Sequence, residues 1–442
     1  MHKDIRLPIA SVAILLFWSS IFFLKFPLIT IISLMILGLI TVYLLFKSTS
    51  IKKAALLILI NMLLWILTGI ASSGITLDSL TPEYFRGEGR IFLYYLPIII
   101  FSLLSTRIYD LIFLKRVIYS IAFINFILFL IWIFNPSAEL LSIGKDFSAF
   151  ISSHTGAGTY FGTIVIFITF QYLYHKNKIN LLFFIISLFP LIFSSSRQAL
   201  VAVAGVMVFY MLSEKKYLLL IKTAGIFFLA TLLLLNMNIR SIERFQSIFS
   251  NEFFETLPMA VEQATQAENV KEEKLARGLS ENESIVNALN RIVLWAKASE
   301  DFSRSPIVGI GFGKYNDIEN DYFGMPGIFY FATSSKQNIS DVTSAHNSYL
   351  HILSESGLLG LVLIILFWWY LYYHFKKMEK LSPSLTLYFK TARYLIIFIC
   401  INGLFGHAFA APALGFTALT IIAAIYAVKT PVLITITDKR IP

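Results

Sequence analysis

Ser344–Gly360 reads SAHNSYLHILSESGLLG and runs without a break into Leu361–His374, LVLIILFWWYLYYH. A polar segment ends here and an apolar run of membrane-crossing length begins, since a helix needs about 20 apolar residues to span the hydrocarbon core. His346, Asn347 and Tyr349 stand at the lip of that run, and Glu355 lies just inside it. Ionisable groups are costly at membrane depth and are retained mainly where they work. Reading outward from this stretch settles the class of the molecule.

The chain has 442 residues, of which 57% are hydrophobic and 14% charged. Soluble domains have about 25% charged residues, so the sequence describes a polytopic membrane protein. Twelve apolar runs suit spans: 7–24, 27–46, 54–71, 91–105, 117–134, 159–174, 179–194, 197–213, 217–236, 348–374, 393–410 and 412–428. The first begins with basic residues but is longer than a signal peptide's apolar region and has no small-residue cleavage site after it, so it is read as a retained span. The single cysteine, Cys400, lies in an apolar run and reads as a small packed residue rather than a nucleophile.

Basic residues fix an orientation. With the N-terminus in the cytoplasm, inside segments hold 20 Lys and Arg, while the short outside loops hold Lys25, Arg86, Arg90, Lys145 and Arg197. Both termini are then cytoplasmic. The formal charge of +10 reports topology and contact with lipid headgroups, not nucleic acid. The expected fold is all-α, with about twelve transmembrane helices and one large, mainly helical periplasmic loop. Residues 1–236 hold spans one to nine, 237–347 the loop, and 348–442 spans ten to twelve with the C-terminus. The loop carries 10 Lys and Arg against 15 Asp and Glu, or 10 − 15 = −5. Its length far exceeds an ordinary connection. Ser280–Glu283 matches a capping box ahead of Ile285, Leu289, Ile292 and Ala296 at helical spacing. Pro258 is expected to open an earlier helix.

Three residues are candidates for chemistry. Arg197, in FSSSRQAL, follows Ser194, Ser195 and Ser196 and opens a helix at the outer side. Hydroxyls, a helix N-terminus and a guanidinium together suit an anion; the plainer alternative is a snorkelling arginine. Arg291 lies on the loop helix four residues before Trp295, where spacing alone favours an ordinary solvated arginine; Arg240, Arg244 and Arg304 compete with it. His346 can act as a general base or as an interfacial histidine beside a cap at Asn347 or Ser348, and His351, His154 and His407 are rivals. On an ideal helix Glu355 falls opposite His346 and reads as a structural partner for a cation in the bundle. Gly309–Lys314, GIGFGK, lacks phosphate-loop spacing and reads as a tight turn with close backbone approach. No cluster has metal-ligand spacing, and no cofactor is expected.

FSSSRQAL, NRIVLWAKASEDFSRSPIVGIGFGKY and AHNSYLHILSESGLLG, in this order and membrane placement, resemble the O-antigen ligase/polymerase superfamily of WaaL and Wzy-C type. The resemblance implies an inverting, metal-independent, GT-C-like glycosyltransferase of the bacterial inner membrane with its active site facing the periplasm. The donor it implies is a glycan on undecaprenyl pyrophosphate, and the acceptor a lipid-linked repeat unit or lipid A core. By motif, Arg197 and Arg291 resemble the pair that holds the pyrophosphate, and His346 the base. Ser195, Ser196, Asn347, Tyr349 and Arg304 complete the expected substrate-binding set. The acidic loop would repel a phosphorylated lipid A core, which favours an O-antigen polymerase over a ligase; a chain-length regulator is a further partner under that reading. A lipid-linked oligosaccharide flippase, the alternative of another class, would need charges through the bundle interior. A non-catalytic scaffold is the plainest alternative.

Overall fold

The computed structural model describes residues 9–22, 27–47, 52–73, 94–136, 138, 140–143, 146–151, 154–217, 250–266, 283–312, 315, 345–406, 409 and 412–428. Within them run α1 (Ile9–Phe22), α2 (Pro27–Lys47), α3 (Lys53–Ser73), α4 (Leu96–Leu103) and α5 (Ile108–Phe134). After a small antiparallel hairpin, β1 (Ser142–Ile143) and β2 (Asp146–Phe147), come α6 (His154–His175), α7 (Lys178–Phe193) and α8 (Arg197–Ser213). Next are α9 (Asn251–Gln266), α10 (Glu283–Arg304), α11 (Ser348–Leu381), α12 (Thr386–Phe405) and α13 (Pro412–Tyr426). Among the described residues, four helical segments are long and apolar enough to cross a membrane: Ile108–Phe134, Thr155–His175, Ser348–Leu381 and Pro383–Phe405. The architecture is all-α, as expected, apart from the hairpin.

Composition sorts the helices by position. α5 turns Ile112, Phe123, Ile127, Ile131 and Phe134 outward, as a lipid-facing helix does. α6 packs against α7, α8, α12 and α13 and is the most enclosed of the four. It can therefore carry Thr159, Thr163 and Thr169, whose hydroxyls donate to carbonyls one turn back. Asn402 of α12 donates to Thr159 Oγ1 at 2.5 Å, a polar tie between two central helices.

α8 and α11 begin at the same end of the bundle, and the antiparallel α12 finishes there. Ser348 donates to the Gly406 carbonyl at 2.8 Å, and the Gln198 amide lies against the Gly406 α-carbon. At the far end of these helices, Arg393 reaches Glu379 at 3.2 Å and Glu214 at 3.4 Å, while Lys390 holds Glu214 at 2.8 Å.

Several boundaries differ from the sequence reading. Among the described residues of the run 91–105, the helix α4 covers eight; it ends where the chain turns extended at Leu104, and Thr106 then donates to Ala427 and Ala424 at the end of α13. α5 starts at Ile108, earlier than expected, where Asp110 accepts from the Arg107 amide at 2.8 Å and from Ser11 at 2.8 Å. α12 starts at Thr386 and stops at Phe405, so the run 393–410 is not one helix. Residues 218–236 of the ninth expected span, and Ser280–Asn282 of the capping box, lie outside the described residues. Pro258 does not open a helix. It lies inside α9, which begins at Asn251 behind Ser250, whose hydroxyl accepts from Phe253 N. α10 begins at Glu283; among its described side chains Ile285, Leu294, Ala298 and Asp301 are buried and Ala296 is exposed, while the side chain of Leu289 lies outside those described. The expected row shifts because α10 docks through Leu294 and Ala298 on Tyr315, Ala345 and Leu350, contacts distant in sequence.

The largest departure is in α11. Gly357, at φ 61° and ψ −163°, breaks the helix. Segment Pro306–Gly311 is laid into the break. Leu358 and Leu359 donate to the carbonyls of Pro306 and Ile307, at 2.8 and 3.0 Å, while Ile310 and Gly311 donate to those of Ser354 and Glu355, at 2.8 and 3.0 Å. Backbone groups freed by the break are thus satisfied by the inserted segment, as membrane depth requires. A Cβ on Gly309 or Gly357 would lie 2.3–2.4 Å from backbone atoms of the other segment. The tight turn with close backbone approach expected at Gly309 and Gly311 is therefore present; Gly313 lies outside the described residues.

Candidate active site

His346 is held before the first turn of α11 in a left-handed conformation, φ 47°, an uncommon region for a residue with a Cβ. Asn347 is the N-cap: its side-chain oxygen accepts from Tyr349 N at 3.0 Å and Leu350 N at 3.1 Å. The cap directs the helix, and the strained residue before it directs the imidazole. Because His346 is not helical, counting turns from it to Glu355 does not describe their geometry.

Arg291 lies one turn before Leu294 on the docked face of α10. It is half-buried, and its guanidinium makes a long 3.5 Å contact to the Phe405 carbonyl at the end of α12. Burial lowers its pKa. Burial and the charge of Arg291 together lower His346 to about 4. The imidazole is therefore neutral at physiological pH, with a proton-accepting nitrogen. The ordinary solvated arginine that spacing favoured is not what α10 presents. The docking of α10 brings Arg291 to His346.

Arg197 is the first residue of α8 and is half-buried. The three serines before it have separate roles. Ser194 donates to Leu191 O at 2.7 Å. Ser195 has φ 53° and donates to Asp146 of the hairpin at 2.7 Å. Ser196 occupies the N-cap without a side-chain cap hydrogen bond and packs directly on Gly158 of α6. Gln198, the residue after Arg197, places its amide against Gly406. The Phe405–Gly406 corner thus receives Arg291 from α10, Ser348 from α11 and Gln198 from α8.

Two expected site residues are placed elsewhere. Tyr349 turns into the bundle, where its hydroxyl donates to Cys400 O at 2.9 Å and its ring meets Phe409. Arg304 is exposed and paired with Glu300 at 2.6 Å. It lies thirteen residues, about 20 Å along the helix axis, from Arg291. His351 is buried one turn into α11, with Nε2 3.5 Å from Glu355 Oε2. Glu355 also accepts from Tyr315 N at 3.4 Å. Tyr315 stacks edge-on over His351 and donates from its hydroxyl to Leu294 O at 2.9 Å. Burial, with Asp301 and Glu355 nearby, raises the Tyr315 pKa well above its usual value. This group ties the break in α11 to α10 and so supports Arg291. His407 lies outside the described residues.

Sequence reasoning missed Gln198, Asp146, Tyr315 and the Phe405–Gly406 corner. Each depends on contacts far along the chain, and only the G-x-G turn hinted that a segment would be inserted. Among the described residues, no three of His, Cys, Asp and Glu gather in a group that could hold a metal ion.

No curated protein matches the chain. Residues 181–365, which carry Arg197, Arg291, His346 and Glu355, match the family model Wzy_C, O-antigen ligase, and this match supports the resemblance to the O-antigen ligase/polymerase superfamily.

Proposed function

We propose that the protein is an inverting glycosyltransferase that takes a glycan from undecaprenyl pyrophosphate at the periplasmic face of the bacterial inner membrane. The observation that carries this reading is the placement of Arg291 beside His346, at the end of the bundle where α8 opens with Arg197. Two always-charged guanidiniums suit a pyrophosphate, and a neutral imidazole beside one of them suits proton removal. The acceptor hydroxyl oxygen attacks the anomeric carbon as the bond from that carbon to phosphate oxygen breaks. The bond's electron pair leaves with the pyrophosphate, where Arg197 and Arg291 offset the growing charge. The hydroxyl proton passes to His346. The step uses no metal. About twelve spans, both termini in the cytoplasm and a periplasmic loop at 237–347 complete the proposed topology. They leave the prenyl chain in the bilayer while the sugar enters from the side.

For the acceptor, the loop charge of −5 favours a second lipid-linked repeat unit, which makes the protein an O-antigen polymerase, with a chain-length regulator as a natural partner. The family description, O-antigen ligase, favours lipid A core, and this is the second reading. Purified protein supplied with undecaprenyl-pyrophosphate-linked repeat units alone should make longer chains. Growth only when lipid A core is added establishes the ligase. No glycosyl transfer to either acceptor, with movement of labelled lipid across vesicles, overturns the enzyme reading in favour of a flippase.

A further inference from the structure

We propose that Gln198 is a binding residue of the same site, donating its side-chain N–H to a phosphoryl oxygen of the lipid pyrophosphate; this rests on the pyrophosphate reading above. α8 is seventeen residues long, and its N-terminus has no side-chain cap, so the first-turn N–H groups face an uncapped helix end. Two side chains flanking Arg197 are more than nine-tenths buried: Ser196 is 4% exposed and Gln198 7%. Ser196 Oγ and Gln198 Nε2 have no hydrogen-bond partner among the described residues. Buried polar groups rarely stay unpaired without a reason.

Position shows what would satisfy them. The Gln198 amide lies against Gly406, one residue from the carbonyl that Arg291 contacts. The Gly406 carbonyl already accepts from Ser348. Asp146, the carboxylate nearest this end of α8 in the hydrogen-bond pattern, accepts from Ser195. The corner where Nε2 lies thus has the Arg291 guanidinium at Phe405 and the N-terminus of α8, which Arg197 opens, while the Asp146 carboxylate is engaged by Ser195. A carboxamide nitrogen only donates and a phosphoryl oxygen only accepts. A sugar hydroxyl, which needs an acceptor for its own proton, is less well matched.

Gly406 supplies an independent handle. Its backbone is extended, φ −164°, so any residue fits there. A Cβ would lie 2.6 Å from Gln198 Oε1 and 2.8 Å from Nε2, and the flexible amide would have to swing away. Undecaprenyl pyrophosphate binding is measured on the full chain in lipid nanodiscs, with inorganic pyrophosphate as competitor. Gln198→Ala is expected to weaken binding about tenfold, the scale of a hydrogen bond to a charged group, with an unchanged thermal midpoint. Gly406→Ala should weaken it similarly, and the double variant no further than either single one. Wild-type affinity in Gln198→Ala alongside lost binding in Arg197→Ala overturns the assignment of Gln198 and leaves the pyrophosphate reading standing. Wild-type affinity in Arg197→Ala overturns both. A lowered thermal midpoint with unchanged affinity in Gln198→Ala, or losses that multiply in the double variant, makes the residue structural and also overturns it.

Discussion

His346 at a pKa of about 4 is a weak base for a reaction near neutrality. Arg291 contributes to that low value through its charge, and a bound pyrophosphate would offset the charge. The base should therefore strengthen when the donor arrives. The acid limb of kcat/KM, which reports the free enzyme, is expected near pH 4, and that of kcat, which reports the complex, at higher pH. Activity falls as His346 gains its proton, so both limbs descend toward low pH. Arg291→Ala removes the neighbouring cation, so the acid limb of kcat/KM should move above 4; a limb that stays put separates Arg291 from His346 in solution. His346→Ala should lower kcat about 10²–10⁴-fold, the usual contribution of a general base. As candidates, His346 and Arg197 stood out in the sequence, because a histidine at the lip of a span and an arginine after three serines are unusual. Their surroundings were not legible there. Arg291 read as solvated because its surroundings are distant in sequence: α10 docks through Leu294 and Ala298 on Tyr315 and Ala345, and Arg291 then reaches the Phe405 carbonyl, 114 residues away. Gln198 carried no signal, since an amide in a first helical turn looks ordinary until its missing partner is seen.

The element that organises the site is the break in α11 rather than the span itself. GLLGLVLIIL reads as an unbroken helix, and glycine is common in membrane spans. A left-handed Gly357 becomes visible only once Pro306–Gly311 is found exchanging four backbone hydrogen bonds with it. That exchange fixes the first half of α11, and with it His346, against the loop that leads back to α10 and Arg291. The His351–Glu355–Tyr315 group reinforces the same joint from the side. Gly357→Ala must place a Cβ at φ 61° and 2.4 Å from Ile307 backbone atoms. At φ 61° and ψ −163° the backbone lies in a region essentially reserved for glycine, which alone costs a side chain about 1–3 kcal/mol, and a backbone collision cannot be relieved by a rotamer change. Separation of the inserted segment from α11 is expected, read as faster hydrogen exchange at Leu358, Leu359, Ile310 and Gly311 and as loss of transfer. Gly38→Ala, where nothing lies within 4 Å of the added Cβ, should leave exchange at Ile310 and Gly311 near wild type. Equal exchange in both variants would show that the four bonds do not hold the joint.

On the scale of the whole molecule, α8, α11 and α12 carry the candidate site at one end and a cluster of ion pairs at the other. α8 has seventeen residues, which sets the two ends about 25 Å apart, close to the thickness of the hydrocarbon core. Arg393 is buried between Glu379 and Glu214, and Lys390 adds to Glu214. Burial alone would raise the Glu214 pKa, but the hydrogen bond and charge of Lys390, with Arg393 and Lys216, bring it below its usual value. These pairs lie among the basic residues that the positive-inside rule assigns to the cytoplasm, so the site end faces the periplasm in the proposed topology. That orientation decides whether a lipid-linked glycan can reach Arg197, Arg291 and His346 at all. It is tested with single cysteines introduced into a Cys400→Ala background, one at Ser299 on α10 and one at Lys215 after α8, both exposed positions. A membrane-impermeant maleimide applied to the periplasmic side of spheroplasts should label Ser299→Cys at once and Lys215→Cys only after the membrane is opened. The reverse pattern would put the two arginines and the histidine in the cytoplasm, where a periplasmic glycan donor never arrives, and the proposed reaction would fail however well its residues converge.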